Sequence, residues 1–385
     1  MENWKKQLVI LKQKNKLVSA VFENHVLDEV IVEEEDDSSL RIGNIYVGRV
    51  SHIVLNINAA FVEVQKNLMC YLPLSEAGKQ KPVQGQEIVV QVKKAAVKKK
   101  QAVVSCKLEF SGEFAVVTTL NRSKSISQKI TDEGVRARLK ELLSQYEEVP
   151  FGIILRTSCE TAQTGDIVED CERLLRRAEE IVERAKSRTC FTRVYRAEPE
   201  YMHFLRESGR GAFDRIITDE RTVYEQLADT EAFSDENVVL YEDESYSLDK
   251  LFGIRQKLDK ALARHVWMKS GASLVIEHTE ALTVIDVNSE KAIAGRQSSE
   301  STFLKINLEA AREAARQIRI RNLSGIILID FIDMKKNEHI QQLLRELENA
   351  FKKDNVKTTV VDITKLGLVE ITRMKRRKPL WENLR

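Results

Sequence analysis

The chain has 385 residues, 43% hydrophobic and 31% charged, with a formal net charge of +2; that is core for about two to four domains, and too balanced a charge to bind nucleic acid through its overall field. No apolar run reaches membrane-spanning length and the opening Met-Glu-Asn-Trp-Lys-Lys is no signal peptide, which predicts a cytoplasmic protein without a membrane span. Cys70, Cys106, Cys159, Cys171 and Cys190 show no C-x-x-C pair, so they read as reduced packing residues rather than a disulfide frame or zinc site.

Residues 7–11, 17–22 and 26–32 pattern as strands, closed by an acidic patch at 33–37 that reads as a solvated turn. The segment is too short for a domain and is expected to join a sheet completed elsewhere. Five short strands follow, at 45–54, 59–64, 69–73, 87–92 and 102–105, and suggest a small OB-type barrel. Its pieces Gly-Asn-Ile-Tyr-Val-Gly-Arg-Val (43–50), Ala-Ala-Phe-Val (59–62) and Tyr-Leu-Pro (71–73) resemble an S1 RNA-binding domain. Such a face stacks bases on aromatics beside cations, so Phe61 and Tyr71 are the stacking candidates. Lys93, Lys94, Lys98, Lys99 and Lys100 are the candidate phosphate contacts. The residues alone equally allow Phe61 in the barrel core and the lysines on a solubilising hairpin.

Residues 114–119 and 151–155 read as strands with a helix at 134–146 between them. A long helix is predicted at 166–188, its apolar positions Ile167, Cys171, Leu174, Leu175, Ala178, Ile181, Val182 and Ala185 making one face. Strands at 215–218 and 237–241, with helices at 220–228 and 247–263, are expected to complete the N-terminal sheet. Then come two apolar runs that both finish in Asp, Leu-Thr-Val-Ile-Asp286 and Gly-Ile-Ile-Leu-Ile-Asp330, joined by a helix at 301–319. A helix at 338–351, strands at 358–362 and 366–373, and a basic run (Arg373, Lys375, Arg376, Arg377, Lys378) close the chain. That run is a solvated tail or, beside an active site, a contact for RNA backbone.

Strand, helix, strand at this length is a parallel crossover, which puts Asp286 and Asp330 near neighbouring carboxyl ends, where open α/β sheets bind ligands. Two adjacent carboxylates stay ionised when a cation lies between them. Hard oxygen donors with no His or Cys nearby point to Mg²⁺, with Mn²⁺ as the alternative, rather than zinc. A metal so held keeps positions for water and phosphate oxygens, which suits phosphodiester hydrolysis. Pattern alone leaves open the plainer reading that each Asp ends a strand and starts a turn.

The runs Asp286-Val-Asn288-Ser289, Asn307-Leu-Glu309-Ala-Ala, Arg316-Gln-Ile-Arg319 and Ile329-Asp330-Phe-Ile-Asp333-Met334, with residues 279–286, resemble the catalytic core of the ribonuclease E/G family. The resemblance implies a multidomain α/β fold. An RNase-H-like subdomain (1–36 plus 200–262) carries an inserted S1 (OB) barrel (37–107), followed by a 5′-sensor α+β region (108–199) and a DNase-I-like catalytic subdomain (263–385). The implied activity is Mg²⁺-dependent endonucleolytic cleavage of single-stranded, A/U-rich RNA in RNA processing and decay, leaving 5′-phosphate and 3′-hydroxyl ends. Asp286 and Asp330 would hold the metal, and Asn288 would orient the phosphate or a water. Phe61, Tyr71 and Lys100 would bind RNA, and Lys357 stands where the family places a further cation. Arg156 and Thr157 would hold the 5′-monophosphate of the RNA, with Gly112 and Val116 as pocket wall.

Two departures accompany the resemblance. Ser158-Cys-Glu-Thr-Ala162 replaces an Ala-Gly-rich turn, and Glu160 there would weaken anion binding. The Cys-Pro-x-Cys zinc-link of the family is not in this sequence, so a homo-oligomer, if formed, is not expected to be zinc-linked. The rival readings are an RNA-binding protein of the same fold without turnover and a DNA nuclease of DNase I type. Retention of Asp286, Asn288 and Asp330 speaks against the first; the S1-like barrel and the lack of a His near the acids in sequence speak against the second.

Overall fold

The computed structural model describes residues 4–384 apart from 35–39, 79–80, 97–99, 120–121, 210, 229, 231–237 and 290–298. Lys98, Lys99 and most of the acidic patch therefore lie outside the described residues. The fold is mixed α/β and divides into two compact units, residues 1–36 with 210–385 and residues 37–209.

The first unit opens with the antiparallel strands β1 (Lys6–Gln13), β2 (Lys16–Glu23) and β3 (Val26–Glu34). Their nearly unbroken Val, Ile and Leu content matches burial on both faces.

The second unit begins with β4 (Ile45–Val54), β5 (Ala59–Gln65), β6 (Leu68–Pro73), β7 (Glu87–Lys94) and β8 (Val103–Ser105). They pair in the order β4-β5-β6-β8-β7, and β7 returns to β4, closing an OB-like barrel. Closure leaves alternate residues inside: Tyr46, Val50, Ala60, Val62, Val64, Cys70, Leu72, Val90, Val92 and Val104 form its core. Next come β9 (Glu109–Ser111), β10 (Ala115–Thr118), β11 (Lys124–Ile126), α1 (Glu133–Ser144) and β12 (Gly152–Leu155), the strands forming a sheet in the order β11-β12-β10-β9. The long α2 (Thr164–Lys186) lays Ile167, Cys171, Leu174, Ala178 and Ile181 into the core of that sheet, as its periodicity predicts. The unit ends with β13 (Thr192–Tyr195), paired with β4, and α3 (Glu200–Ser208).

The chain then returns to the first unit. β14 (Arg215–Thr218) pairs parallel with β1, and β15 (Val238–Leu240) with β14, giving a sheet in the order β15-β14-β1-β2-β3. The α4 helix (Arg221–Ala228) lies between these two strands in sequence. The single helix expected at 247–263 is two, α5 (Leu248–Phe252) and α6 (Ile254–Leu262). Gly253 breaks it by taking a φ of 58°, a left-handed conformation glycine adopts without a Cβ clash.

The last sheet runs in the order β16-β17-β18-β19-β21-β20. Its elements are β16 (His265–Trp267), β17 (Ser273–His278), β18 (Leu282–Asn288), α7 (Glu300–Ile320), β19 (Gly325–Asp330), α8 (Asn337–Phe351), β20 (Thr358–Ile363) and β21 (Val369–Arg373), with a short α9 (Leu380–Asn383) after it. β18 and β19 pair in parallel across the α7 crossover. Ser299 caps α7 by accepting from the amide of Thr302. Ala310, Ala311, Ala314 and Ala315 are fully buried, and such small side chains let a helix lie close over a sheet.

Candidate active site and nucleic-acid interface

In β18 and β19 alternate residues face opposite sides. Ile285, Val287, Ile327 and Ile329 enter the core with α7 and α8. Asp286, Asn288 and Asp330 lie on the other side, and Asp286 and Asp330 are direct cross-strand partners. The sequence expectation of two acids at adjacent strand ends is met in the backbone register. Asn288 Nδ2 donates to Asp286 Oδ2 at 2.7 Å, which orients that carboxylate. The Asp330 carboxyl is held above the usual carboxylate range, first by burial and then by the charges of Asp286 and Asp333.

The loop after β19 is held by residues that the sequence alone did not mark as supports. Asn307, fully buried on α7, donates from Nδ2 to the Ile332 carbonyl at 2.8 Å and accepts from the Ile332 amide at 3.0 Å. Glu300, two helical turns earlier, accepts from the Lys336 amide at 2.7 Å. Glu309 accepts from the amides of Lys269 and Ser270, in the turn between β16 and β17. A Cβ added to Gly367 would lie 3.9 Å from Asp333 Oδ1, so the turn bearing Lys365 shares this edge.

A divalent ion fits the donor set of this edge. The nearby donors are carboxylate and amide oxygens, and the charges of Asp286 and Asp333 raise the proton affinity of Asp330. No group of three or more His, Cys, Asp or Glu side chains forms a metal cage among the described residues. A few carboxylates with the remaining positions left to water is the usual pattern for Mg²⁺.

Other sequence-stated cations fare differently. Lys357 precedes β20, whose Thr358 pairs with Arg373, itself opposite Gly325. That is the end of β19 away from Asp330, about 16 Å along the strand, so the fold does not bring Lys357 to the acids. Arg373 of the basic run is buried, donating to Asp354, to Asn322 and to the Leu323 carbonyl, so it holds the fold and is not available to RNA. His265, by contrast, lies in one cross-strand row with Val275, Asp286 and Asp330. His265 stands two strands from Asp286, about 10 Å between backbones.

On the barrel, Phe61 and Tyr71 are cross-strand partners, with ring centroids 6.0 Å apart and edge-on. Phe61 is half-buried and outside the barrel core, which removes the alternative that it fills the interior. His52, opposite Phe61 on β4, stacks on it at 4.6 Å with planes 15° apart. An exposed His52 thus extends the ring row across three strands. Lys100 is exposed, close in sequence to Ala102, whose carbonyl accepts from the Tyr71 amide. Lys93 is ion-paired with Glu109.

In the second unit, Arg156 follows β12 and donates from Nη1 to the Gly112 carbonyl at 2.7 Å. Gly112 is required there, because a Cβ would overlap the Asp170 carboxylate. Asp170 in turn accepts from the amides of Phe114 and Ala115 and pairs with Arg173. Val116 is opposite Ile154 in the neighbouring strand, two residues before Arg156. Thr157 is exposed and opens the turn Thr157–Glu160, and Glu160 is exposed beside it.

A model of the Ribonuclease E/G family matches residues 109–376. Ribonuclease G of Escherichia coli (strain K12) is 32% identical over 386 residues, covering 94% of this chain and 78% of that protein. Ribonuclease G of Haemophilus influenzae is 32% identical over 384 residues, with the same coverage of 94% and 78%. Ribonuclease E of Synechocystis is 31% identical over 400 residues, covering 98% of this chain and 58% of the relative.

Proposed function

The chain belongs to the ribonuclease E/G family, and from that premise we propose that it is a Mg²⁺-dependent endoribonuclease acting on single-stranded, A/U-rich RNA in cytoplasmic RNA processing and decay. The observation that carries this reading is the direct pairing of Asp286 with Asp330, with Asn288 bonded to Asp286. Asp286 and Asp330 hold the metal, with Mn²⁺ able to replace Mg²⁺. A divalent ion held by these two carboxylates would supply Lewis-acid activation of water and charge neutralisation at the scissile phosphate. Asn288 keeps the Asp286 carboxylate turned toward the site and presents its amide to phosphate or water. Hydrolysis breaks the phosphorus–O3′ bond, leaving 5′-phosphate and 3′-hydroxyl ends.

The barrel supplies affinity. Phe61 and Tyr71, with His52 stacked on Phe61, offer ring surface to unpaired bases, and Lys100 offers charge to the backbone. Arg156 and Thr157 receive a 5′-monophosphate. The guanidinium spends one donor on the Gly112 carbonyl and keeps others for phosphate. No described helix is long and apolar enough to cross a membrane.

The test is cleavage and binding of one single-stranded RNA by Asp286→Asn and Asp330→Asn. Each change removes a negative ligand at nearly constant size. Cleavage should be lost while the affinity for RNA stays near wild type. Wild-type cleavage by either variant with Mg²⁺ would refute the metal assignment. A wild-type protein that binds this RNA and never cuts it would leave the non-catalytic reading standing.

A further inference from the structure

Directly paired residues share a face of a sheet, and neighbouring strands lie about 4.8 Å apart. Pairing across β16, β17 and β18 puts Trp267, Ser273 and Asn288 in one row. The row of His265, Val275, Asp286 and Asp330 lies beside it. Val266, between His265 and Trp267, packs into the core, so the two flanking residues take the side of the acids. The Trp267 backbone therefore stands about 10 Å from that of Asn288, two strand steps away.

Trp267 is 56% exposed, although indoles are on average largely buried. In the middle of its row Ser273 is fully buried with its Oγ unpartnered. The turn joining β16 to β17 is pinned to α7 through Glu309, which fixes where this edge strand runs beside the acids. An exposed ring at this spacing, on a rigid strand beside a phosphate-cutting pair, suits a flat apolar group one nucleotide away.

We propose that Trp267 stacks the nucleobase next to the scissile phosphate, making the sheet face beside Asp286 and Asn288 a binding subsite for unpaired nucleotides. The proposal rests on Asp286 and Asp330 being the cleavage centre. Stacking on an indole tolerates every base, since each has a π face. It demands that the base leave its own neighbours, so a duplex is refused at the cutting step and not only at the barrel.

The test is a cycle between the ring and the base. A single-site RNA is made with abasic residues placed, one at a time, at the nucleotides flanking the cut. Trp267→Ala should lower kcat/KM on the intact RNA about five- to a hundredfold, and Trp267→Phe should recover most of it. An abasic residue at one flanking position should lower the wild-type rate by a similar factor and leave Trp267→Ala unchanged. A 2-aminopurine at that position should be quenched on binding to Asp286→Asn but not to the double variant with Trp267→Ala. Equal abasic sensitivity of wild type and Trp267→Ala, in proteins with the same unfolding midpoint, overturns the proposal. If Asp286→Asn still cleaves, the cleavage centre itself is misassigned and the proposal falls with it. Loss of cleavage in Asp286→Asn together with equal abasic sensitivity overturns the stacking alone.

Discussion

Arg156 shows how one side chain is committed in advance. Its Nη1 holds the Gly112 carbonyl, and its amide donates to the Phe114 carbonyl at 2.7 Å, so the guanidinium is tied to the loop that would face a bound phosphate. A charge-assisted hydrogen bond contributes roughly 1.5–3 kcal/mol. Wild type should therefore cut 5′-monophosphorylated RNA about ten- to a hundredfold faster than the 5′-hydroxyl form. Glu160 pulls toward the lower end through charge repulsion. Arg156→Ala should lose the preference and keep the rate on 5′-hydroxyl RNA. Rates measured on the two ends decide it; equal wild-type rates would mean a sensor fold without sensing. The motif Leu155-Arg156-Thr157 was readable in the sequence. That Gly112 must be glycine was not, because Asp170, the group a Cβ would strike, lies far along the chain on α2.

At the scale of elements, α7 does more than connect two strands. Glu300 and Asn307, seven residues apart, lie on one face and bind the backbone after Asp330 at Lys336 and at Ile332. The Asn307→Leu variant keeps the branched outline of the side chain and strands both the amide and the carbonyl of Ile332. Each unsatisfied group costs about 1–3 kcal/mol, so urea unfolding should register a loss of roughly 2–6 kcal/mol. The same variant should need more Mg²⁺ for half-maximal cleavage and bind Mn²⁺ more weakly, because Asp330 and Asp333 flank the loosened peptide. An unfolding midpoint and a Mn²⁺ isotherm both at wild-type values would show that the clamp is idle.

At the scale of the whole molecule, the chain's two ends meet through buried charge. Glu29 on β3 lies 3.8 Å from Arg377, close to Asp354, Arg373 and Arg319. Asp28 beside it takes Arg319 at 2.6 Å. Burial pushes the Glu29 carboxyl up to about 7; Arg377 lowers it and Asp354 raises it further. A carboxyl whose folded value is raised adds stability that is full below the ordinary value and is lost as pH rises through about 7. Wild type should therefore lose roughly 3 kcal/mol between pH 5 and pH 8 relative to Glu29→Gln. Parallel stability curves for the two proteins across that range would show that Glu29 titrates normally.

The elements near the acids were legible because their signals are local. Alternation marks β18 and β19, a four-and-three spacing marks α7, and their order implies a crossover that sets Asp286 beside Asp330. The rings Phe61 and Tyr71 were marked by the likeness of their strands to an S1 domain, while spacing alone left Phe61 open between barrel core and surface. What the sequence could not order is pairing between strands that are not consecutive, or that run antiparallel through turns of unknown register. That pairing stacks His52 on Phe61, sends Lys357 to the far end of the sheet, and buries Arg373 against Asp354. It also sets His265 in the row of the acids and Trp267 in the row of Asn288. A shift of one residue would turn each of these side chains to the opposite face, and only the packed core specifies the register that prevents it.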